Sequence, residues 1–557
     1  MEDKIRALAL ENAVKFKGKA NPKSIMGQIL SQDKNVNPGD VAKEVNRIVN
    51  EVNSLSLDEQ KKELDNLDPK LLEKKQREVK EGLKELNNVK GKVIMRFEPS
   101  PSGPLHVGHA YTGCLNSEYV NKYKGKFILR IADTNAENIY VPAYKLIEED
   151  GNWLFGNVSE LIIQSDHMDI YYEYAEKLFD LGVVYVCECS GDKFREYSKE
   201  KKDCPCRNLS IQEHTKRWKK MFKGYEQGEA VVRFKTDMQH KNPAMRDFPL
   251  LRIKDVKHPR QKDKYRVWPL MIFSVAIDDV NSKMTHIIRA KDHADNAKKQ
   301  EYIFKALKFP IPETVFVGRI NFEGFEVSCS KTRKKIEEGL YDGWDDIRLP
   351  FMPALRRRGY KAEAFKKYAI AVGATLADKS VSKDDFFKSI NAFNKDVIDP
   401  VSHRYFFVED PKKIFVKNAP PQNLELDLHP DNKKGGRIFK TQEEFLITKQ
   451  DYEELKDKVI NRLMDCLNFI KIGDDFKFHS QEYEKYKGSK GKIIHWVPIE
   501  KNVQVEILMP DNTIKSGVAE QGIRKLKEGE IIQFERFGFC RLDKNEKNLY
   551  KFWFAHK

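Results

Sequence analysis

Val41, Val45, Ile48, Val49 and Val52 recur at helical spacing within the otherwise polar stretch VAKEVNRIVNEVNSL, which predicts an amphipathic helix. LDEQKKELDNL and LLEKKQREVKEGLKEL have the same texture, and no glycine occurs between Gly39 and Gly82. Ser56 followed by Glu59 reads as a capping box. Residues 1–90 are therefore expected to form a helical domain. The pattern then changes. GKVIMRF (91–97) is a short apolar, β-branched run that predicts a buried strand, AYTGCLNSEYVNKY a helix, and KFILRIAD (126–133) a second strand. Strand, turn, helix and strand in this order predict a βαβ unit with a parallel sheet. Helices over 143–155 and 168–181 and strands at 231–236, 284–290 and 314–320 continue an α/β pattern to about residue 345. Residues 346–400 read as helical again. After Asp399-Pro400, KIFVKN, KIIHWVPI, VQVEILMP and IIQFERFGF are short strands between polar turns, which predicts antiparallel barrels.

Length and charge narrow the function. A chain of 557 residues exceeds one hydrophobic core, so several domains are expected. No apolar run approaches the roughly 18 residues of a membrane span, and the N-terminus lacks a secretory leader, so a soluble, cytoplasmic protein without a membrane partner is expected. Lys and Arg number 100 against 85 Asp and Glu, a net charge of +15 that favours a polyanionic partner.

PSGPLHVGH (101–109) follows the first strand. Its histidines, His106 and His109, are spaced for a metal pair, yet no cysteine or acid lies beside them in sequence. A glycine between them, at the start of a helix, suits close approach of a phosphate to the backbone. Local chemistry alone leaves nucleotide binding, a buried structural pair and a metal site open.

HVGH after RFEPSPSG resembles the HIGH motif of class I aminoacyl-tRNA synthetases, in the form found in glutamyl-tRNA synthetases, and VSCSKTRKKIEEG (327–339) resembles the KMSKS loop. The likeness runs through nearly the whole chain and is strongest to the archaeal-type glutamyl-tRNA synthetases. It implies a Rossmann-type parallel sheet carrying an acceptor-binding insertion, an N-terminal helical domain, and C-terminal antiparallel β-barrels that read the anticodon. The boundaries expected are 1–90 for the helical domain, 91–186 and 266–345 for the two Rossmann halves, 187–265 for the insertion, 346–400 for a helical stem-contact region and 401–557 for the barrels.

The activity implied is ATP-dependent ligation of glutamate to tRNA(Glu) through an adenylate, with Mg2+ accompanying ATP, with tRNA(Gln) as a further acceptor, and in a monomer. The resemblance implies that His106, Gly108 and His109 hold the nucleotide, that Lys331 neutralises phosphates on a mobile loop with Ser330 supplying a hydroxyl, and that Arg96 and Arg289 recognise the amino acid. It also puts Ser100 beside the substrate.

Departures from the family pattern fall in the amino-acid pocket. RIADTN carries Ala132 where the family has an acid that faces the substrate ammonium. Trp268 stands for a tyrosine, Ile272 for an asparagine, Val280 for a histidine and Ala290 for a glycine. A methyl group cannot pair with an ammonium, and a buried unpaired charge costs on the order of a few kcal/mol. Three readings follow: a glutamyl enzyme in which Asp133 or water takes the ammonium, a paralog with another amino acid, or a tRNA-binding protein that has lost charging.

Cys187, Cys189, Cys204 and Cys206 form two close pairs, and four thiolates make a tetrahedral site that suits structural Zn2+. The segment around them, KFREYSKEKKDCPCRNLSIQEHTKRWKKMFKGY, is basic with interleaved aromatics, as RNA binding requires, and Arg356, Arg357 and Arg358 form a triplet suited to phosphates.

Overall fold

The computed structural model describes residues 2–15, 18–32, 38–67 and 82–557, and these fall into two compact units, 1–81 and 82–557. The first holds α1 (Glu2–Lys15), α2 (Pro22–Gln32), α3 (Pro38–Ser54) and α4 (Leu57–Leu67). All five apolar residues that predicted α3 are buried, together with Ile5, Ala9, Leu10 and Leu64. The capping box forms reciprocally: Glu59 Oε2 accepts Ser56 N–H at 2.8 Å and Ser56 Oγ accepts Glu59 N–H at 3.4 Å. The helix expected over 71–86 lies outside the described residues as far as 81, and Gly82–Leu86 is not helical.

In the second unit, β1 (Ile94–Phe97), α5 (Val107–Lys122) and β2 (Lys126–Ile131) make the expected βαβ unit. β1 and β2 are parallel, with Arg96 opposite Ile128. After α6 (Ala143–Phe155), β3 (Val158–Ile163) extends the sheet in parallel. α7 (Met168–Asp180) leads into an insertion of four antiparallel strands: β4 (Val184–Cys187), β5 (Val231–Phe234), β6 (Pro249–Ile253) and β7 (Val267–Pro269), with α8 (Gly191–Glu200) and α9 (Ile211–Met221) between the first two. The chain returns through α10 (Met271–Asn281), β8 (His286–Ala290), α11 (Ala294–Ala306) and β9 (Glu313–Val317), and β8 and β9 are again parallel. Thr285 N–H donates to the Ile94 carbonyl at 3.1 Å and joins this pair to β1.

The strand expected over 314–320 is broken. Gly318 N–H donates to Thr375 O, and a Cβ there would lie 2.2 Å from the Ala377 carbonyl oxygen, so the chain turns and restarts as β10 (Ile320–Glu323). α12 (Cys329–Glu337), α13 (Met352–Arg358), α14 (Ala362–Val372), β11 (Lys379–Ser382) and α15 (Lys383–Ile398) follow. The stretch 346–400 is thus helical apart from β11, which pairs in parallel with β10.

Residues beyond 400 form two seven-stranded sheets, mainly antiparallel, and a two-stranded antiparallel ribbon of Gln422–His429 and Asn432–Thr441. In each seven-stranded sheet, the two edge strands follow one another in the chain. Arg404–Tyr405 and Phe407–Glu409 border one sheet at opposite edges yet are separated only by Phe406, and Ile493–Ile494 and Val497–Pro498 do the same for the other. Parallel pairs occur within both, as between Val503–Leu508 and Leu549–His556, so purely antiparallel pairing does not hold throughout. Period-2 alternation ties the sheets together: Tyr405 and Phe407 enter one core while Phe406 enters the other.

Candidate active site

The C-terminal ends of β1, β2 and β8 bring Arg96, Glu98, Arg130, Ala132, Asp133 and Arg289 to one end of the parallel sheet, the usual position for ligands in open α/β folds. α10 adds Asp278 and Asp279, both fully buried. The result is a dense charge network. Arg96 places Nε 2.8 Å from Asp279 Oδ1 and Nη2 3.2 Å from Oδ2, and its Nη1 lies 2.8 Å from Glu98 Oε2. Arg130 Nη1 donates to Asp279 Oδ1 at 2.8 Å. Burial opposes the charge of Asp279, but Arg96 and Arg130 hold it below the ordinary carboxylate range. The fork of Arg96 is therefore engaged by Asp279 and Glu98 within the protein.

Arg289 differs. Its Nη1 donates to the neutral Gln300 Oε1 at 2.8 Å, its Nε is buried without a partner, and among the described residues no carboxylate lies within ion-pair distance. Burial, and next the charge of Arg96, push its pKa down to about 10. An arriving carboxylate would relieve both effects.

Asp133 is engaged within the protein. It is fully buried, and its oxygens accept Tyr144 O–H, Ser165 N–H and Ser165 O–H, each at 2.7 Å. Trp268 is buried and stacks on His258 with ring centroids 4.9 Å apart, so it belongs to the insertion's core. Ile272 begins α10 half-buried, packed against that same core. Ala132 N–H donates to Pro99 O at 3.0 Å, and Ser100 is exposed.

The histidine pair sits where β1 hands over to α5. His106 is the N-cap: its Nδ1 accepts Gly108 N–H at 3.1 Å and His109 N–H at 3.4 Å. With Nδ1 an acceptor, the ring proton lies on Nε2. The two imidazoles stack at 3.7 Å, and burial lowers both pKa values, His109 to about 4. Both rings are neutral at pH 7. The i, i+3 spacing thus makes a stacked pair, and the first N–H groups of α5 are taken by His106. Gly108 sits under the ring, where a Cβ would lie 3.0 Å from His106 Cε1.

The second motif lies on α12. Cys329, its first residue, donates from Sγ to Pro104 O at 3.7 Å, and a Cβ on Gly103 would lie 3.0 Å from Cys329 Cβ. The two motifs, far apart in sequence, meet here. Lys331 is 73% exposed on the helix and pairs with Glu326 at 3.2 Å, as Lys335 does at 3.1 Å. Ser330 is exposed beside it.

In the insertion, the four cysteine Sγ atoms lie within 4.8 Å of one another, with Cys187–Cys204 at 3.8 Å and Cys189–Cys206 at 4.0 Å. A tetrahedral Zn–S4 site with bonds near 2.3 Å needs sulfurs about 3.8 Å apart, so the donor set fits. Of the aromatics of this region, Phe194, Trp218 and Tyr225 are buried and Tyr197 and Phe222 half-buried, while its lysines and Arg195 are exposed to a polyanion. The arginine triplet is also largely consumed. Arg357 pairs with Asp543 and Asp345 at 2.7 Å, and buried Arg358 donates to the Phe554 and Ala555 carbonyls. Arg356 lies over Trp153.

Sequence reasoning missed Glu98, Arg130 and the Asp278–Asp279 pair as parts of one network. The available signal was Glu98 itself, an acid two residues beyond Arg96 at a buried strand end.

Residues 92–400 match the family described as tRNA synthetases class I (E and Q), catalytic domain, and residues 402–487 and 493–543 match its anticodon-binding domains. Over 100% of both chains, this protein is 43% identical to a glutamate–tRNA ligase of Methanocaldococcus jannaschii and 40% identical to that of Methanothermobacter marburgensis. It is likewise 40% identical to that of Methanobrevibacter smithii, with 100% of each covered.

Proposed function

The chain belongs to the class I tRNA synthetases for glutamate and glutamine, and from that membership we infer that it ligates glutamate to tRNA at the expense of ATP. The observation that carries this reading is the contact of Cys329 with the 103–104 backbone, which seats α12 against the residues that lead into the histidine pair. A substrate carboxylate attacks the α-phosphorus of ATP and pyrophosphate leaves; a terminal ribose hydroxyl of tRNA then displaces AMP from the adenylate.

Stabilising charge on the phosphates is the main task of the protein. His106 Nε2–H is the donor the capping geometry leaves available, and neutral His109 stacks behind it. Gly108, without a Cβ, lets the His106 ring pack against the first turn of α5. Lys331, long and exposed, reaches the departing pyrophosphate on leaving Glu326, with Ser330 next to it. Mg2+ bound with ATP would supply further positive charge to its phosphates. Arg289, whose guanidinium lacks an acidic partner among the described residues, is the receptor for a substrate carboxylate.

Cys187, Cys189, Cys204 and Cys206 would hold Zn2+ as a closed structural site that fixes the turn between β4 and α9 and takes no part in chemistry. The 401–557 sheets read the anticodon. tRNA(Glu) is the proposed acceptor, tRNA(Gln) a second one, and the working form a cytoplasmic monomer.

The test is ATP–pyrophosphate exchange with each standard amino acid in the presence of total tRNA. Glutamate-dependent exchange is expected. Exchange with a different amino acid, or tRNA binding without exchange, would overturn the assignment. Charging of purified tRNA(Glu) and tRNA(Gln) then settles the acceptor.

A further inference from the structure

Four carboxylates are gathered near the strand ends, and three are consumed. Asp133 is held by Tyr144 and Ser165. Asp278 accepts from Gln164 and Tyr171 at 2.8 Å and faces His167 Nδ1 at 2.7 Å. Asp279 is gripped by Arg96 and Arg130. Glu98 is the exception. Its Oε2 meets Arg96 Nη1 at 2.8 Å and Arg130 Nη1 at 3.5 Å, but Oε1 is buried with no hydrogen-bond partner among the described residues, on a side chain only 8% exposed.

A buried carboxylate oxygen without a donor is costly, and such an atom in a native site calls for an occupant. Two features specify the occupant. Ionised beside Arg96 and Arg130, Glu98 offers Oε1 as an acceptor only, so the partner is a donor, and a charged donor makes the stronger bond to it. Arg289 is the complementary group: it lacks a carboxylate within reach among the described residues, yet Glu98 acts on it electrostatically. A guanidinium and a carboxylate oxygen, both incompletely satisfied at the C-terminal ends of β8 and β1, match the two charged ends of an amino acid. Ala132, next to Glu98 through the Ala132 N–H to Pro99 O bond, offers no competing acceptor.

We propose that Glu98 Oε1 accepts a hydrogen bond from the α-ammonium of the amino-acid substrate, making Glu98 the residue that distinguishes an amino acid from a simple dicarboxylate. This rests on the reading of the protein as a glutamate-activating enzyme. The buried ion pair with Arg96 and Arg130 holds the carboxylate in place, and the acid carried by β1 substitutes for one that β2 lacks.

The experiment compares glutamate with glutarate, which lacks only the amino group. Competition by glutarate against glutamate in pyrophosphate exchange is measured for the wild type, Glu98→Gln, and the double variant Glu98→Ala with Ala132→Glu. Wild type should prefer glutamate by on the order of 10- to 100-fold, as expected for one charged hydrogen bond. In Glu98→Gln the KM for glutamate should rise by a similar factor, the KM for ATP should stay unchanged, and discrimination against glutarate should collapse. The double variant should recover part of it. Damage to packing alone would weaken glutamate and glutarate together and leave their ratio intact, and that result overturns the proposal. Absence of glutamate-dependent exchange in the wild type would instead refute the functional reading.

Discussion

The carboxylate of Asp150, buried inside α6, accepts the backbone N–H of Leu105 at 3.0 Å and so anchors the residue preceding the histidine pair. Its other oxygen has no hydrogen-bond partner among the described residues. Burial pushes the carboxyl up to about 7, while the Leu105 N–H works in the opposite direction. A folded-state pKa above the unfolded value means that the folded protein binds the proton more tightly. The stabilisation is then complete below about pH 4 and is lost as pH rises through about 7, at roughly 1.4 kcal/mol per unit. Between pH 5 and 8, the Tm of wild type should fall more steeply than that of Asp150→Asn. Parallel slopes would rule this out.

Lys331 is exposed, so its pair with Glu326 contributes at most about 1 kcal/mol to stability. Lys331→Ala should leave the Tm nearly unchanged yet slow adenylate formation by about 100-fold. Glu326→Gln should release Lys331 and Lys335 and lower the KM for ATP by about two- to fivefold. Stopped-flow and steady-state kinetics on the two variants would check both.

Arg358 and Arg356, the two ends of the triplet, should behave differently. Arg358→Ala removes donors to two carbonyls, one on each of Phe554 and Ala555, and should cost about 2–4 kcal/mol in denaturant unfolding. Arg356→Ala should change stability by less than about 1 kcal/mol. A large loss at Arg356 and none at Arg358 would contradict the assignment.

Purified protein should carry about one zinc per chain by elemental analysis, and Cys204→Ser should lose it. The same substitution should make the 188–206 turn protease-sensitive while leaving tRNA-independent ATP binding intact.

Much of the site was legible because its signals are local. The helical face of Val41 to Val52, the βαβ unit around HVGH and the paired cysteines each lie within a few tens of residues, where periodicity and spacing act directly. The ion-pair network was not legible. Arg96 and Asp279 are 183 residues apart, Arg130 and Asp279 149, and only the packing of α10 against the strand ends decides that Arg96 is occupied and Arg289 is left without an acid. Sequence alone determined that an acid is missing at Ala132 and that Glu98 exists. Tertiary structure decided which carboxylate oxygen remains unpaired, because hydrogen-bond capacity in a buried site depends on every neighbour that the fold brings within about 3 Å.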